Sequence, residues 1–253
     1  MPRTARKLSE SGIYHIMVRG INRNIIFRDE NDIRHFLQIL STLKKDGSFA
    51  LYGYCFMSNH VHLLLHEKTF SLSEIMRRLG SSYVSWHNRK YDRIGYLFQD
   101  RFKSEPVEDN AYFLTVLRYI HQNPFKAGLI SNISEYQWSS YPDYLYAKGF
   151  TDIDFALNMF HSDRKKALHE FTVFHLKQTD EQCLDIDAPQ PICDQKATEI
   201  IIEVCKIKQP SDLLKMDKTS RRTLLNKLKV QQGLSIRQIE RLTGINRNTV
   251  YKS

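Results

Sequence analysis

Residues 49–67 read FALYGYCFMSNHVHLLLHE, and this stretch decides the fold. Two runs of aromatic and branched apolar residues, 49–56 and 60–67, flank a tight Ser58-Asn59 turn. Strands joined so closely pair as an antiparallel hairpin. Side chains alternate along a strand, so His60 and His62 share one side while Val61, Leu63 and Leu65 share the other. His66 has the parity of the histidine pair and is a weaker candidate to join it.

Upstream, the run 13–19 (IYHIMVR) reads as a strand that Gly20 and Asn22 break. Between it and the hairpin, Ile33, Phe36, Leu37 and Leu40 recur at helical spacing over 29–45, and Asp46-Gly47 ends that helix. Downstream, residues 71–89 form a second helix, with Ser71 and Glu74 as a capping box and Leu72, Ile75, Met76 and Leu79 as the apolar stripe. Residues 101–107 give a fourth strand. Residues 109–122 give a third helix, capped by Asp109 or Asn110 and stopped by Pro124. The order strand–helix–strand, strand–helix–strand predicts an α+β, ferredoxin-like antiparallel sheet with helices on one face. The third helix is then expected at an edge.

After Trp138 the strand signal fades, and 152–160 and 163–177 read as helices. Net charge divides the chain: +6 over 1–150, −5 over 151–195 and +8 over 196–253, within a total of +9. Two basic modules around an acidic connector suit an anionic partner that both ends touch. The expected organisation is a core domain at 1–150, a helical extension at 151–177, an acidic linker at 178–195 and a helical module at 196–253. No apolar run is long enough to span a bilayer, and no signal-peptide segment follows the basic N-terminus. A cytoplasmic, nucleoid-associated location without membrane contact is therefore expected. Cys55, Cys183, Cys193 and Cys205 form no CxxC pair and are expected as free thiols.

Two imidazoles on one side of a strand are a ready pair of divalent-metal ligands. An isolated HxH is nonetheless more often two half-exposed histidines on a sheet. Tyr119 and Asn123, four residues apart, share one face of the third helix. A tyrosine phenolate can attack a phosphodiester and form a covalent link. An amide oxygen can complete a metal site. The plain alternatives are a core tyrosine beside Val116 and Ile120, and an asparagine that caps the helix before Pro124.

Order and spacing carry a family resemblance. The stretches GYCFMSNHVHLLL at 53–65, FQDRFKS at 98–104 and LRYIHQNP at 117–124, with a weaker WSSY at 138–141, resemble the single-tyrosine HUH transposases. The likeness is greatest to the branch associated with repetitive extragenic palindromes. It implies that His60 and His62 bind a metal, that Asn123 completes the site and that Tyr119 is the nucleophile. It also implies a ferredoxin-like fold, dependence on Mg²⁺ or Mn²⁺, and single-stranded or hairpin DNA as partner, with a homodimer open. Ser58 departs from the family, where many relatives have proline in that turn; this alters turn rigidity and not the ligands.

Basic and aromatic residues are expected to hold the DNA: Arg3, Arg6 and Lys7 as an N-terminal arm, Arg19 and Arg23 after the first strand, and Arg101, Phe102 and Lys103 as a mix of charge and stacking ring. For any one of these, a solvated surface charge is an equally good reading. Tyr83, Trp86 and Tyr91 are expected to pack rather than to stack on bases.

In the C-terminal module, 220–232 reads as a basic amphipathic helix with Leu224, Leu225 and Leu228 inward, ended by Gly233. Ser235 and Gln238 form a capping box for 236–242. Thr243-Gly244-Ile245 turns the chain, and Asn246 caps a last helix through Val250. This resembles the helix-turn-helix ends of resolvases and replication initiators, which implies duplex-DNA contacts from Arg247, Asn248, Thr249 and Lys252. A plain α-hairpin is the alternative, and the shortness of the last helix counts toward it. For the whole chain, three readings compete: an enzyme that cuts and rejoins DNA strands, a catalytically silent DNA-binding regulator on the same fold, and an unrelated metal hydrolase. The joint presence of His60, His62, Tyr119 and Asn123 favours the first.

Overall fold

The computed structural model describes residues 6–177, 183–184, 194–230, 234 and 236–252. The chain divides into two compact units, residues 1–185 and 186–253. Arg3, Cys193, Gly233, Ser235 and most of the acidic segment 178–195 lie outside the described residues. So do the side chains of Arg237 and Lys252.

The first unit is built on strands β1 (Ile13–Arg19), β2 (Phe49–Met57), β3 (His60–Glu67) and β4 (Lys103–Pro106). They form one antiparallel sheet in the order β2-β3-β1-β4. Helix α1 (Glu30–Lys45) joins β1 to β2, and α2 (Leu72–Lys90) joins β3 to β4. This is the ferredoxin-like arrangement that the strand and helix order predicts. Asp29 caps α1 in a reciprocal box with Asp32. At α2 only half of the expected box forms: Ser71 accepts from the Glu74 N–H, but the Glu74 carboxylate turns outward to Arg77 and Arg78. Ion pairing competes there with the return bond to the backbone.

Each face of the sheet has its own core. Ile16, Val18, Val61, Leu63, Leu51 and Phe56 pack under α1 and α2. Tyr83 of α2 belongs to this core, as expected, and its hydroxyl donates to the Ile26 carbonyl at 2.7 Å. The opposite face carries Ile13, Leu64, Ala50, Tyr52, Cys55 and Met57. It is covered by helix α3 (Asn110–Lys126), with Phe113, Val116, Leu117 and Ile120 inward. The third helix is therefore not at an edge, as its late position in the sequence suggested. It lies across β2 and β3 on the second face. A sheet with apolar residues at both parities must be buried on both sides.

Helix α3 also runs past Pro124 to Lys126, with Ala127 as its C-cap. Pro124 deletes one intrahelical bond and does not end the helix. Asn123 is thus a residue of the last turn and not the cap. Three devices fix α3 on the sheet. Gly53 lies beneath it: a Cβ there would meet Leu117 Cδ1 at 2.7 Å. Its lack of a side chain lets helix and strand approach. Next, the segment 138–140 lies along the open edge of β2, where the Phe56 N–H donates to the Trp138 carbonyl and the Ser140 N–H to the Tyr54 carbonyl, both at 2.9 Å. Ser140 Oγ then reaches His121 Nε2 of α3 at 2.7 Å.

Two short helices, α4 (Tyr141–Tyr146) and α5 (Ile153–Leu157), lead to α6 (Arg164–Leu176), which supplies the third device. Gln122 donates to the carbonyls of His175 and Lys177 at 2.8 and 2.9 Å, and Arg118 to that of Phe174 at 3.3 Å. Those two side chains and His121 pin α6 to the back of α3. Replacing Gly53 by valine is expected to push Leu117 outward and cost about 1–3 kcal/mol, the usual penalty of overpacking. An unchanged urea midpoint for Gly53→Val would contradict this close approach.

The buried imidazoles of α3 and α6 also set an acid limit. His175 is held at about 3 by burial, against an ordinary value of 6.5, and His121 is lowered by burial and by the nearby His175. Both groups bind fewer protons folded than unfolded below pH 6.5. Their stabilising effect is complete above 6.5 and is lost as pH falls toward 3. Each contributes a slope of up to about 1.4 kcal/mol per pH unit. Urea midpoints are expected to fall between pH 7 and pH 4; equal midpoints would contradict the neutral, buried state of both rings.

The second unit holds α7 (Asp194–Cys205), α8 (Lys218–Val230), α9 (Ile236–Thr243) and α10 (Arg247–Lys252). Asp194, at the end of the expected linker, opens α7 and binds Gln238 and Arg241 of α9. Leu225, Leu228, Ile239, Ile245 and Val250 form the core, with Leu224 packed against it. The Gly244 turn separates α9 from α10, and Asn246 Oδ1 accepts from the Asn248 N–H at 2.9 Å. Among the described residues no helix is long and apolar enough to cross a membrane. Cys55, Cys183 and Cys205 are free thiols.

Candidate active site

The second face of the sheet gathers the polar residues. Antiparallel pairing sets Arg19 opposite His60 and Met17 opposite His62, so His15, Arg19, His60 and His62 share that face. The His60 and His62 rings stand 5.1 Å apart, and the His15 ring stacks on His62 at 5.3 Å. From α3, the Tyr119 ring comes down to 5.7 Å from His62 and 5.9 Å from His15. The tyrosine and the histidine pair, 57 residues apart in sequence, thus meet.

One hydrogen bond fixes the tautomer of His60. His60 Nδ1 lies 2.7 Å from Asn59 Oδ1. An amide oxygen only accepts, so Nδ1 carries the proton and the lone pair sits on Nε2. His62 Nδ1 lies 3.0 Å from His15 Nε2. When His62 is the donor to His15, a lone pair is left on His62 Nε2, an atom that is buried and has no hydrogen-bond partner among the described residues. Burial, followed by the neighbouring His15 and His60, holds His62 well below its ordinary value, so the ring is neutral near pH 7.

A buried, unpartnered imidazole nitrogen beside a second imidazole fits a divalent ion. Among the described residues no cluster of three or more His, Cys, Asp or Glu completes a site of that kind. The amide of Asn123, one turn beyond Tyr119, offers an oxygen donor of the kind hard divalent ions accept. Its Nδ2 donates to the Tyr119 carbonyl at 3.3 Å, which ties the amide to the tyrosine's own turn. Among the described residues no hydrogen bond joins it to the histidines. His66 is not part of the group: it sits four residues along β3 from His62, about 13 Å at strand rise, and meets the Tyr52 hydroxyl at 3.4 Å.

Reading the sequence alone missed His15 and Asn59. Each hydrogen-bonds the Nδ1 of one histidine of the pair, the position that partners of metal-bound histidines commonly take. The signal for His15 was a histidine inside an otherwise apolar strand; what it faces depends on a pairing register that only the fold supplies.

The expected DNA-binding residues fall into three places. Arg19 stands beside His60, and Arg23 follows in the turn, its carbonyl accepting from Asn59 Nδ2 at 3.3 Å. Lys103 opens the edge strand β4 opposite Met17, on the histidine face. Phe102 points the other way, where the Arg6 guanidinium covers its ring at 3.6 Å and Arg101 lies nearby. Lys7 is exposed. In the second unit Arg247, Asn248 and Thr249 are exposed.

Residues 9–123 match the family described as transposase IS200-like. Two solved structures are similar at low identity. One is of a REP-associated tyrosine transposase bound to a REP hairpin, 17% identical, covering 73% of this chain and 100% of that one, with a TM-score of 0.49. The other is of a candidate transposase from Deinococcus radiodurans R1, 16% identical, covering 48% of this chain and 97% of that one, with a TM-score of 0.34. A search of the curated proteins finds no match.

Proposed function

We propose, from the match of residues 9–123 to the IS200-like transposase family, that the protein cuts and rejoins single-stranded DNA through a covalent bond to Tyr119. The observation that carries this reading is the meeting of the Tyr119 ring with the His62 ring at 5.7 Å beneath a sheet face that also bears His60 and Arg19.

The chemistry balances without a nucleotide cofactor. The Tyr119 oxygen attacks the scissile phosphorus and loses its proton to solvent. The bond from phosphorus to the 3′ oxygen breaks, and that oxygen takes up a proton as a free 3′-OH. The 5′ phosphate is left on the tyrosine. A second 3′-OH then attacks the phosphotyrosine, joins the new ends and returns the phenol. The bond energy stays in the phosphodiester class throughout.

His60, His62 and Asn123 would hold Mg²⁺ or Mn²⁺. Bound there, the ion would draw negative charge from the scissile phosphate. His15 and Asn59 orient the two imidazoles, and Arg19 and Lys103 hold the flanking phosphates on the same face. Arg6, Arg101 and Phe102 on the opposite face, with Lys7 and Arg23, would add further contacts to the strand; Arg3, read as part of the same N-terminal arm, lies outside the described residues. In the second unit, α9, the Gly244 turn and α10 are suited to duplex DNA, with the exposed Arg247, Asn248 and Thr249 toward the groove; Lys252, expected to join them, has its side chain outside the described residues.

The test is a denaturing gel after incubation with single-stranded hairpin DNA and Mn²⁺. A protein band carrying DNA, absent in EDTA, is the expected result. DNA binding with no such band would favour a silent regulator on the same fold.

A further inference from the structure

On the face of the sheet opposite Tyr119, a cavity of about 870 Å³ opens between α2 and the segment 96–102. Its floor is apolar, including Val18, Met76 and Val84, and Phe102 stands in its wall. Three guanidiniums, Arg6, Arg77 and Arg101, stand at it. Arg77 is paired with Glu74, whereas Arg6 donates to Ser73 Oγ at 3.1 Å and, among the described residues, neither Arg6 nor Arg101 has a carboxylate partner. Burial first and the charge of Arg101 second lower the proton affinity of Arg6, so the two cations lie within electrostatic reach. Asp100 is the one acid on the wall. The volume is that of a small-molecule site.

Gly80 points to an occupant. It sits in the interior of α2, where glycine is destabilising relative to alanine. No packing demands it: a Cβ there would meet nothing within 4 Å. With Met76 and Val84 one turn away on either side, it lines the cavity, and its evident effect is to keep the slot open.

We propose that this cavity seats one unpaired nucleobase of the DNA strand, with the adjoining phosphate on Arg6 and Arg101; the inference rests on the single-stranded-DNA reading above. A flat, largely apolar base matches the floor, Phe102 offers a stacking ring, and the phosphate neutralises two like charges. The path is short. β4 is a four-residue edge strand, with Lys103 on the Tyr119 face and Phe102 on the cavity face. A strand that crosses this edge joins the two sites.

The test measures binding of the full chain, in EDTA, to fluorescein-labelled dT10 and to a decamer with the same phosphates but no bases. Gly80→Leu puts a side chain into the slot from a position where a Cβ meets nothing within 4 Å, and is expected to melt at or above the wild-type temperature. It should weaken dT10 binding about ten-fold, the scale of one stacked base, and leave the abasic decamer unchanged. Arg101→Ala should weaken both. Equal dT10 affinity for Gly80→Leu and wild type, or an equal loss on both oligonucleotides, overturns the proposal. Since nothing is cut in EDTA, that result is separate from the absence of a covalent band with Mn²⁺, which would instead overturn the cleavage reading.

Discussion

Tyr119→Phe is expected to lose strand cleavage by about 10⁴-fold or more, the scale seen when a nucleophile is removed from a working site, while DNA affinity stays within about two-fold of wild type. The reasoning is steric as well as chemical. The Tyr119 ring is 5% exposed and packs in the core between α3 and the sheet. Phenylalanine keeps that ring and its packing and removes only the attacking oxygen. The variant should therefore melt close to wild type. Cleavage by Tyr119→Phe at the wild-type rate, on a folded sample, would assign the nucleophile to another residue. A control is at hand in Tyr52, which shares the same core beside His66 and away from the histidine pair. Tyr52→Phe should cut normally.

The second large effect is expected in metal binding. His62→Ala should remove measurable Mn²⁺ binding, read by calorimetry on the protein without DNA. The buried Nε2 of His62 is the donor whose surroundings offer it no other partner. His15→Ala should act through it. Loss of the 3.0 Å contact to His62 Nδ1 frees the ring to rotate and to change tautomer. Partners of this kind are worth about 10–100-fold in metal affinity. His66→Ala, on the same strand and face, should change Mn²⁺ affinity by less than two-fold. Equal losses for His15 and His66 variants would indicate general destabilisation and remove the orienting role of His15. Wild-type Mn²⁺ affinity in His62→Ala would remove the metal site itself.

The sheet was legible because its signals are local. The Ser58-Asn59 turn fixes the hairpin, and once β2 and β3 pair, parity alone puts His60 and His62 on one face. The alternation of strands and helices then gives the strand order. The position of α3 was not legible from that alternation, since connection order does not say which face a late helix covers. A signal did exist in β2. Ala50, Tyr52, Cys55 and Met57 lie on one face and Leu51, Tyr54 and Phe56 on the other, the parity changing at the register shift between Leu51 and Gly53, and every residue of the strand is buried. Such a strand needs a cover on both sides. Pro124 misled for a related reason: a proline disfavours a helix, but packing of α3 against β2 and α6 outweighs one missing bond.

In the site, the residues read as chemical were those on strongly patterned elements, His60, His62 and Tyr119. The ones missed act through them. His15 is two strands away from any motif it serves, and only the register between β1 and β3 brings its ring to His62. Asn59 looked like turn chemistry, and it is, but its side chain also sets the His60 tautomer. The cavity beside Gly80 had no signal in sequence terms beyond a glycine inside a helix, which by itself says nothing about a ligand.

One measurement bears most directly on the central claim. Trypsin cuts after Arg118 and Lys126, so Tyr119 is released in the peptide YIHQNPFK, where it is the only hydroxylated aromatic residue. After reaction with hairpin DNA and Mn²⁺, followed by nuclease trimming, mass spectrometry should find this peptide carrying a nucleotide through a phosphate on tyrosine. A nucleotide adduct on any other peptide, with this one unmodified, would contradict the account.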